Sequence, residues 1–113
     1  VTSGLAFVPL MRAPTYSATK AAMHSYSLSL RQALKGKVDV IELAPPAVQT
    51  TLTPGQESRD GYQPLEDFAD EAFGLLMQQP TPNEVLVKNV QGFRQAEAQG
   101  KTDEFVAMLA SHG

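Results

Sequence analysis

Tyr16-Ser17-Ala18-Thr19-Lys20 places a phenol and an ammonium four residues apart. On a helix that spacing sets both groups on one face, one turn apart. A free tyrosine ionises near ~10 and is a poor acid–base catalyst at neutral pH. A nearby cation favours the phenolate, and moving the ionisation by about three units takes roughly 4 kcal/mol of differential stabilisation. The pair is therefore a candidate for exchanging a proton with a hydroxyl or carbonyl. Alone it is weak evidence. With three Tyr in the chain, a chance Tyr-x-x-x-Lys is roughly a one-in-eight event. An exposed Tyr/Lys pair at helical spacing is usually a solvated face.

Three further features bear on it. Ser3 stands thirteen residues before Tyr16, at the end of what reads as a strand. A hydroxyl there can point over the strand's C-terminal edge, where ligands bind in open α/β sheets. Ser17, Ala18, Ala21 and Ala22 are small and let another surface approach the helix closely. The next predicted strand ends in Pro45-Pro46-Ala47-Val48-Gln49-Thr50, again at a C-terminal edge.

The elements that must position these residues follow from the pattern. Val1 to Val8 reads as a strand end running into a turn, with Pro9 stopping regular pairing. Thr15 is the expected N-cap of a long helix over about Tyr16 to Leu34, which has no internal Gly or Pro and is stopped by Gly36. Its face is apolar or small around most of the circumference, so two-sided cover is expected, by a sheet and by a second subunit. Val38 to Ala44 reads as a buried strand, which makes strand–long helix–strand, the pattern of a parallel crossover. Thr50 to Pro64 is a long polar loop of the kind used for lids and binding loops, and its Tyr62, with Leu65 just beyond it, is expected to line a pocket. A disordered surface loop is the competing reading. A second helix is expected over about Leu65 to Gln78, with Phe68, Ala69, Ala72, Phe73, Leu75 and Leu76 as its apolar face. Glu84 to Val87 suggests a short edge strand, and Gln91 to Ser111 a helix broken near Gly100.

The totals exclude some classes of function. The chain of 113 residues has 42% hydrophobic and 19% charged residues, an ordinary globular composition for one small domain. A net charge of -3 gives no basic excess for nucleic acid or a membrane surface. There is no cysteine, hence no disulfide and no thiolate metal site. His24 and His112 are too far apart in sequence to suggest a ligand pair, and no metal is expected. No apolar run is long enough to span a bilayer, no signal peptide is visible, and the cytoplasm is the default location.

Thr-Ser-Gly-Leu-Ala-Phe-Val-Pro followed by Tyr-Ser-Ala-Thr-Lys-Ala-Ala resembles the active-site segment of the short-chain dehydrogenase/reductases. That family has a Ser, then Tyr-x-x-x-Lys, then Pro-Gly-x-Val-x-Thr after the next strand. Ser3, Tyr16 and Lys20 match the first two elements, and Pro45, Val48 and Thr50 the third; Pro46 departs from the family's glycine. The turn and the Pro-Pro-Ala-Val-Gln-Thr variant look most like the DltE-type oxidoreductases. The resemblance covers about Val1 to Leu76 and is thin from Gln78 onward.

The resemblance implies an α/β fold, the C-terminal portion of a Rossmann-like doubly wound parallel sheet. It implies Tyr16 as general acid/base, Lys20 as the cation that lowers its ionisation and binds the nicotinamide ribose, and Ser3 as the group that orients the substrate oxygen. Pro45, Val48 and Thr50, with Tyr16 and Lys20, would contact NAD or NADP. The substrate would be a small-molecule alcohol or carbonyl. The family's Gly-rich turn and its catalytic Asn precede the segment that these residues match, and no Gly-x-x-x-Gly-x-Gly occurs here. The chain is therefore expected to be the catalytic half of such an enzyme, inactive alone, and to form a homo-oligomer, with exchanged elements as one route. A binding or regulatory protein of the same fold, and a small α-rich interaction domain with an incidental Tyr/Lys pair, are the alternatives.

Overall fold

The computed structural model describes residues 1–111. Its helices and strands are α1 (Pro14–Ala33), β1 (Glu42–Leu43), α2 (Leu65–Leu76), β2 (Glu84–Val85), α3 (Lys88–Gln95) and α4 (Thr102–Ser111). Single 3-10 turns lie at Gly4–Ala6 and Gln56–Ser58. β1 and β2 pair in parallel, with Glu42 opposite Glu84 and Leu43 opposite Val85. The segment between them contains α2, as a parallel pair requires a crossover. The α/β character is as expected; the doubly wound sheet is reduced here to this short pair among the described residues.

The expected first strand survives as an extended segment with half a ladder. The amide of Thr2 donates to the Leu43 carbonyl at 2.8 Å and that of Gly4 to the Pro45 carbonyl at 2.9 Å. The bonds run from the N-terminal segment to β1 and to the residues just after it, in the parallel sense. The return bond would come from the amide of Pro45, and proline has no N–H. Beyond Ser3 the chain turns at once into the first 3-10 turn, earlier than the expected strand end at Val8.

The strand expected over Val38 to Ala44 is also shorter. The Val38 amide is drawn back to the Leu34 carbonyl (3.1 Å), and Arg31 Nε donates to the Val40 carbonyl at 3.0 Å. Those bonds fold the approach to β1 against the end of α1. Only the stretch from Glu42 to Ala44 pairs with β2, through Glu42 N to Asn83 O and Ala44 N to Val85 O.

The core is built from small side chains. Ala72 of α2, Val85 of β2, Val87 and Val90 of α3 form its buried centre, with Leu43, Phe68, Leu75, Leu86 and Phe93 packed around. Phe68, Ala72 and Leu75 are spaced four and three apart, the inward stripe of α2. Ala69, Phe73 and Leu76 lie on the neighbouring stripe and face out; Phe73 is 64% exposed, against the expectation that it is core. Gly100, at φ +69°, ends the turn before α4, where a left-handed residue costs a glycine nothing. Phe105 then meets Phe93 edge to face at 5.5 Å, which seats α4 on α3.

Candidate active site

Ser3 is extended, and its hydroxyl accepts the Leu5 amide at 3.1 Å, capping the 3-10 turn. Eleven residues later α1 begins, at Pro14, two residues earlier than the Thr15 cap predicts. Ala13 is the N-cap, without a side-chain bond, and Pro14 occupies the first turn. That position tolerates proline because the missing N–H would have no helical partner there. Ser17 instead fastens the first turn to the segment before it. Buried to 2% exposure, its hydroxyl accepts the Leu10 amide (3.1 Å) and donates to the Ala13 carbonyl (2.9 Å). The entry of the helix, and with it Tyr16, is thereby tied to the preceding turn.

Tyr16 and Lys20 are brought together as the spacing predicts. Lys20 Nζ sits over the Tyr16 ring, 5.5 Å from its centroid, and 3.5 Å from the Val1 carbonyl. The ammonium thus reaches from α1 to the segment that carries Ser3. The Tyr16 ring is half exposed, so its phenol is open to an incoming molecule. The sheet cover expected for α1 is slight within the chain: of its residues only Ser17 is buried, and the helix packs mainly on the first 3-10 turn.

Pro45 lies beside Ser3's segment through the bond from Gly4. Val48 pairs with Gln63 in an isolated parallel bridge, closed by Gln49 N to Gln63 O (2.8 Å) and Gln63 N to Ala47 O (2.9 Å). The loop from Thr50 onward is thus stapled at its base. Inside it, Gln56 Nε2 donates to the Val48 carbonyl at 2.8 Å and to the Thr50 hydroxyl at 3.1 Å. Val48 and Thr50 converge on one primary amide, supplied by a residue that the sequence did not single out. Tyr62 packs under the Arg59 guanidinium (5.4 Å) and Leu65 is half exposed; surface hollows are lined by Gly36 to Asp39 and by Ile41, Gln79 to Thr81 and Asn83 instead.

A second polar group adjoins these residues and was missed. Glu42 on β1 is buried to 2% exposure. Its carboxylate accepts the Thr2 hydroxyl at 2.6 Å and meets His24 Nδ1 at 2.7 and 3.0 Å. Glu84 on β2 stands next to them, the ligand-type atoms of His24, Glu42 and Glu84 lying within 4.8 Å of one another. Arg94 of α3 grips Glu84 with two bonds, 2.7 and 3.1 Å, and also stacks on Phe7, whose ring meets His24 edge-on at 5.0 Å. The hydrogen bond from Arg94 holds the Glu84 carboxyl below its ordinary value and raises the guanidinium in turn. Each carboxylate is already matched to protein donors, so the trio is a hydrogen-bonded network, not an open metal cage. The one sequence signal was spacing: Tyr16, Lys20 and His24 recur every four residues on one stripe of α1.

A short parallel strand pair joined through helices, beside a helix that carries Tyr16 and Lys20, is of the α/β class, and similarity to known proteins narrows it to a family. The family model described as short chain dehydrogenase matches residues 1–61, more than half of the chain, and the chain belongs to that family. Those residues include Ser3, Tyr16, Lys20, Pro45, Val48 and Thr50. The chain is also similar to the uncharacterized oxidoreductase DltE of Bacillus subtilis (strain 168), 61% identical over 61 residues. The similarity covers 53% of this chain and 23% of that protein. The chain therefore spans about a quarter of the relative's length. No solved structure matches. No helix among the described residues is long and apolar enough to cross a membrane.

Proposed function

We propose that the chain carries the proton-transfer part of an NAD(P)-dependent oxidoreductase that interconverts an alcohol and a carbonyl. The observation that carries this reading is the Lys20 ammonium, held between the Tyr16 ring and the Val1 carbonyl beside Ser3. Tyr16 exchanges the proton with the substrate oxygen, Lys20 steadies the charge that develops on the phenol, and Ser3 orients the same oxygen. For Ser3 to do so, its hydroxyl turns from the Leu5 amide toward the substrate. A bound nicotinamide supplies or takes the hydride.

The residues fit one end of such a cofactor. The Val48 carbonyl and the Thr50 hydroxyl already accept a primary amide, that of Gln56, and a nicotinamide carboxamide offers the same donors. Pro46 contributes no N–H. The other end is not provided for by these residues, which contain no Gly-rich turn to cradle a pyrophosphate. By itself, then, the chain is a poor dinucleotide binder and inactive. In this reading it works in the cytoplasm on a small alcohol or carbonyl, as a homo-oligomer, with neither nucleic acid nor a membrane as partner.

The test joins the whole chain behind the part of the Bacillus relative that precedes the matching segment. The hybrid is expected to oxidise NADH or NADPH with members of a panel of aldehydes and ketones, and Tyr16→Phe to lower the rate by about a thousandfold. A hybrid whose turnover survives that substitution would rule out Tyr16 as the acid. Calorimetry on the unextended chain is expected to show no tight, stoichiometric binding of either dinucleotide.

A further inference from the structure

We propose that Glu42 is a positioning residue, the brace that sets Ser3's segment against the Tyr16–Lys20 face of α1. The proposal rests on the functional reading above, because it takes those three residues as the working set. A carboxylate this deeply buried is costly unless its oxygens are matched. The partners it has are informative. One is the Thr2 hydroxyl, a single peptide bond from Ser3. The other is His24 Nδ1, one helical turn beyond Lys20 on the same stripe. Glu42 itself belongs to β1, which continues into Pro45, Val48 and Thr50. One side chain therefore ties together the three pieces of backbone that carry every candidate residue.

The packing of α1 on the first 3-10 turn also joins these pieces; Glu42 adds the buried hydrogen bonds between them. The backbone bonds of Thr2 and Gly4 fix the N-terminal segment on β1 and leave α1 untouched. α1 is anchored at its entry by Ser17 and at its far end by Arg31, which donates to the Val40 and Asn83 carbonyls. Between them, α1 rests on the first 3-10 turn and is tied through His24, which Glu42 bonds and the Phe7 ring meets edge to face. Glu84 and Arg94 stand behind, Arg94 pressing on Phe7. Glu42 reaches no reacting group directly; it acts through Thr2 and His24.

The test uses the full chain and three substitutions. In the parent, long-range proton–nitrogen spectra at alkaline pH are expected to show His24 with its proton on Nδ1, donated to Glu42. Nuclear Overhauser contacts of Lys20 with Val1 and of His24 with Phe7 should accompany it. Glu42→Gln is expected to release the tautomer and weaken both contacts. Thr2→Val, nearly the same shape without the hydroxyl, should weaken the Lys20–Val1 contact, and Thr2→Ser should keep it. That pair decides the matter if Glu42→Gln fails to fold. An unchanged tautomer with unchanged contacts in Glu42→Gln, or equal contacts in Thr2→Val and Thr2→Ser, would overturn the brace. In the hybrid enzyme, Glu42→Gln and Thr2→Val should lower kcat by at least about tenfold, as misplacement of reacting groups does, with KM within about twofold. Displaced contacts with unchanged kcat would overturn the positioning role. A hybrid without any turnover would instead sink the functional reading, and the spectra would still judge the brace.

Discussion

At Gly4 the chain leaves Ser3 and turns against α3 with no room to spare. A Cβ built there would lie 2.8 Å from Val90 Cγ2 and 2.9 Å from Phe93 Cδ2. Val90 is fully buried and cannot withdraw. Gly4→Ala therefore overpacks the core and should cost about 1–3 kcal/mol. Gly74, inside α2, has nothing within 4 Å of the same construction. There Gly74→Ala should gain about 0.5–1 kcal/mol, because alanine has less backbone freedom to lose. Urea unfolding of the two variants is expected to move in opposite directions. Equal midpoints would mean that the turn after Ser3 is not seated on α3. At this scale the sequence made legible what local spacing sets, as in the meeting of Tyr16 and Lys20 on one face of α1. Glu42 was not legible, because its partners stand 18 and 40 residues away and nothing local distinguishes it from a strand's polar side. Gln56 was hidden for the opposite reason: an amide in a polar loop is unremarkable until its two acceptors are seen.

The elements tell a similar story through their ends. The body of α1 was legible from its lack of Gly and Pro and from Gly36, while its start was misplaced because Pro14 opens the helix instead of preceding it. β1 was overdrawn because Val38, Val40 and Ile41 have the composition of a strand, yet the backbone there bonds to Leu34 and Arg31. The short strand expected over Glu84 to Val87 is present as β2, Glu84–Val85, but its tie to α3 was not visible. That tie is the Arg94–Glu84 pair, and it has a pH signature. The hydrogen bond from Arg94 sets the folded ionisation of Glu84 below the unfolded one, which is about 4.3. The carboxylate's contribution to stability is therefore complete above the unfolded value and is lost as the pH falls through the folded one. Glu84 is about one-fifth exposed and Arg94 more so, which limits the size of the effect. Arg94→Gln should make the chain less stable at neutral pH and its stability less steep in pH on the acid side. Thermal unfolding at a series of pH values checks this. A slope as steep as the parent's would assign the acid loss to other carboxyls.

For the whole molecule the limiting quantity is the core. The buried apolar residues are Val8, Ala44, Val48, Ala72, Val85, Val87, Val90 and Ala96. No Leu, Ile, Phe or Met among the described residues is fully buried, so the largest apolar side chains contribute only part of their area. The radius of gyration, 14.6 Å, exceeds the roughly 13 Å of a compact domain of this length. Meanwhile α1 presents Met23, Tyr26 and Leu28 to solvent, and α2 with its C-cap presents Phe73, Leu76 and Met77. Apolar side chains exposed in such numbers favour association, and association stabilises whatever it binds by mass action. The apparent melting temperature is therefore expected to rise with protein concentration, in step with sedimentation as a dimer or larger species. Tyr26→Lys, placing a charge at a position 67% exposed, should disturb no core contact in one chain. If α1 is the face that associates, it abolishes the concentration dependence and leaves the melting temperature of the dilute protein nearly unchanged. If Phe73→Lys does so instead, the associating face is on α2, and the open flank of α1 stays free for whatever meets Tyr16 and Lys20.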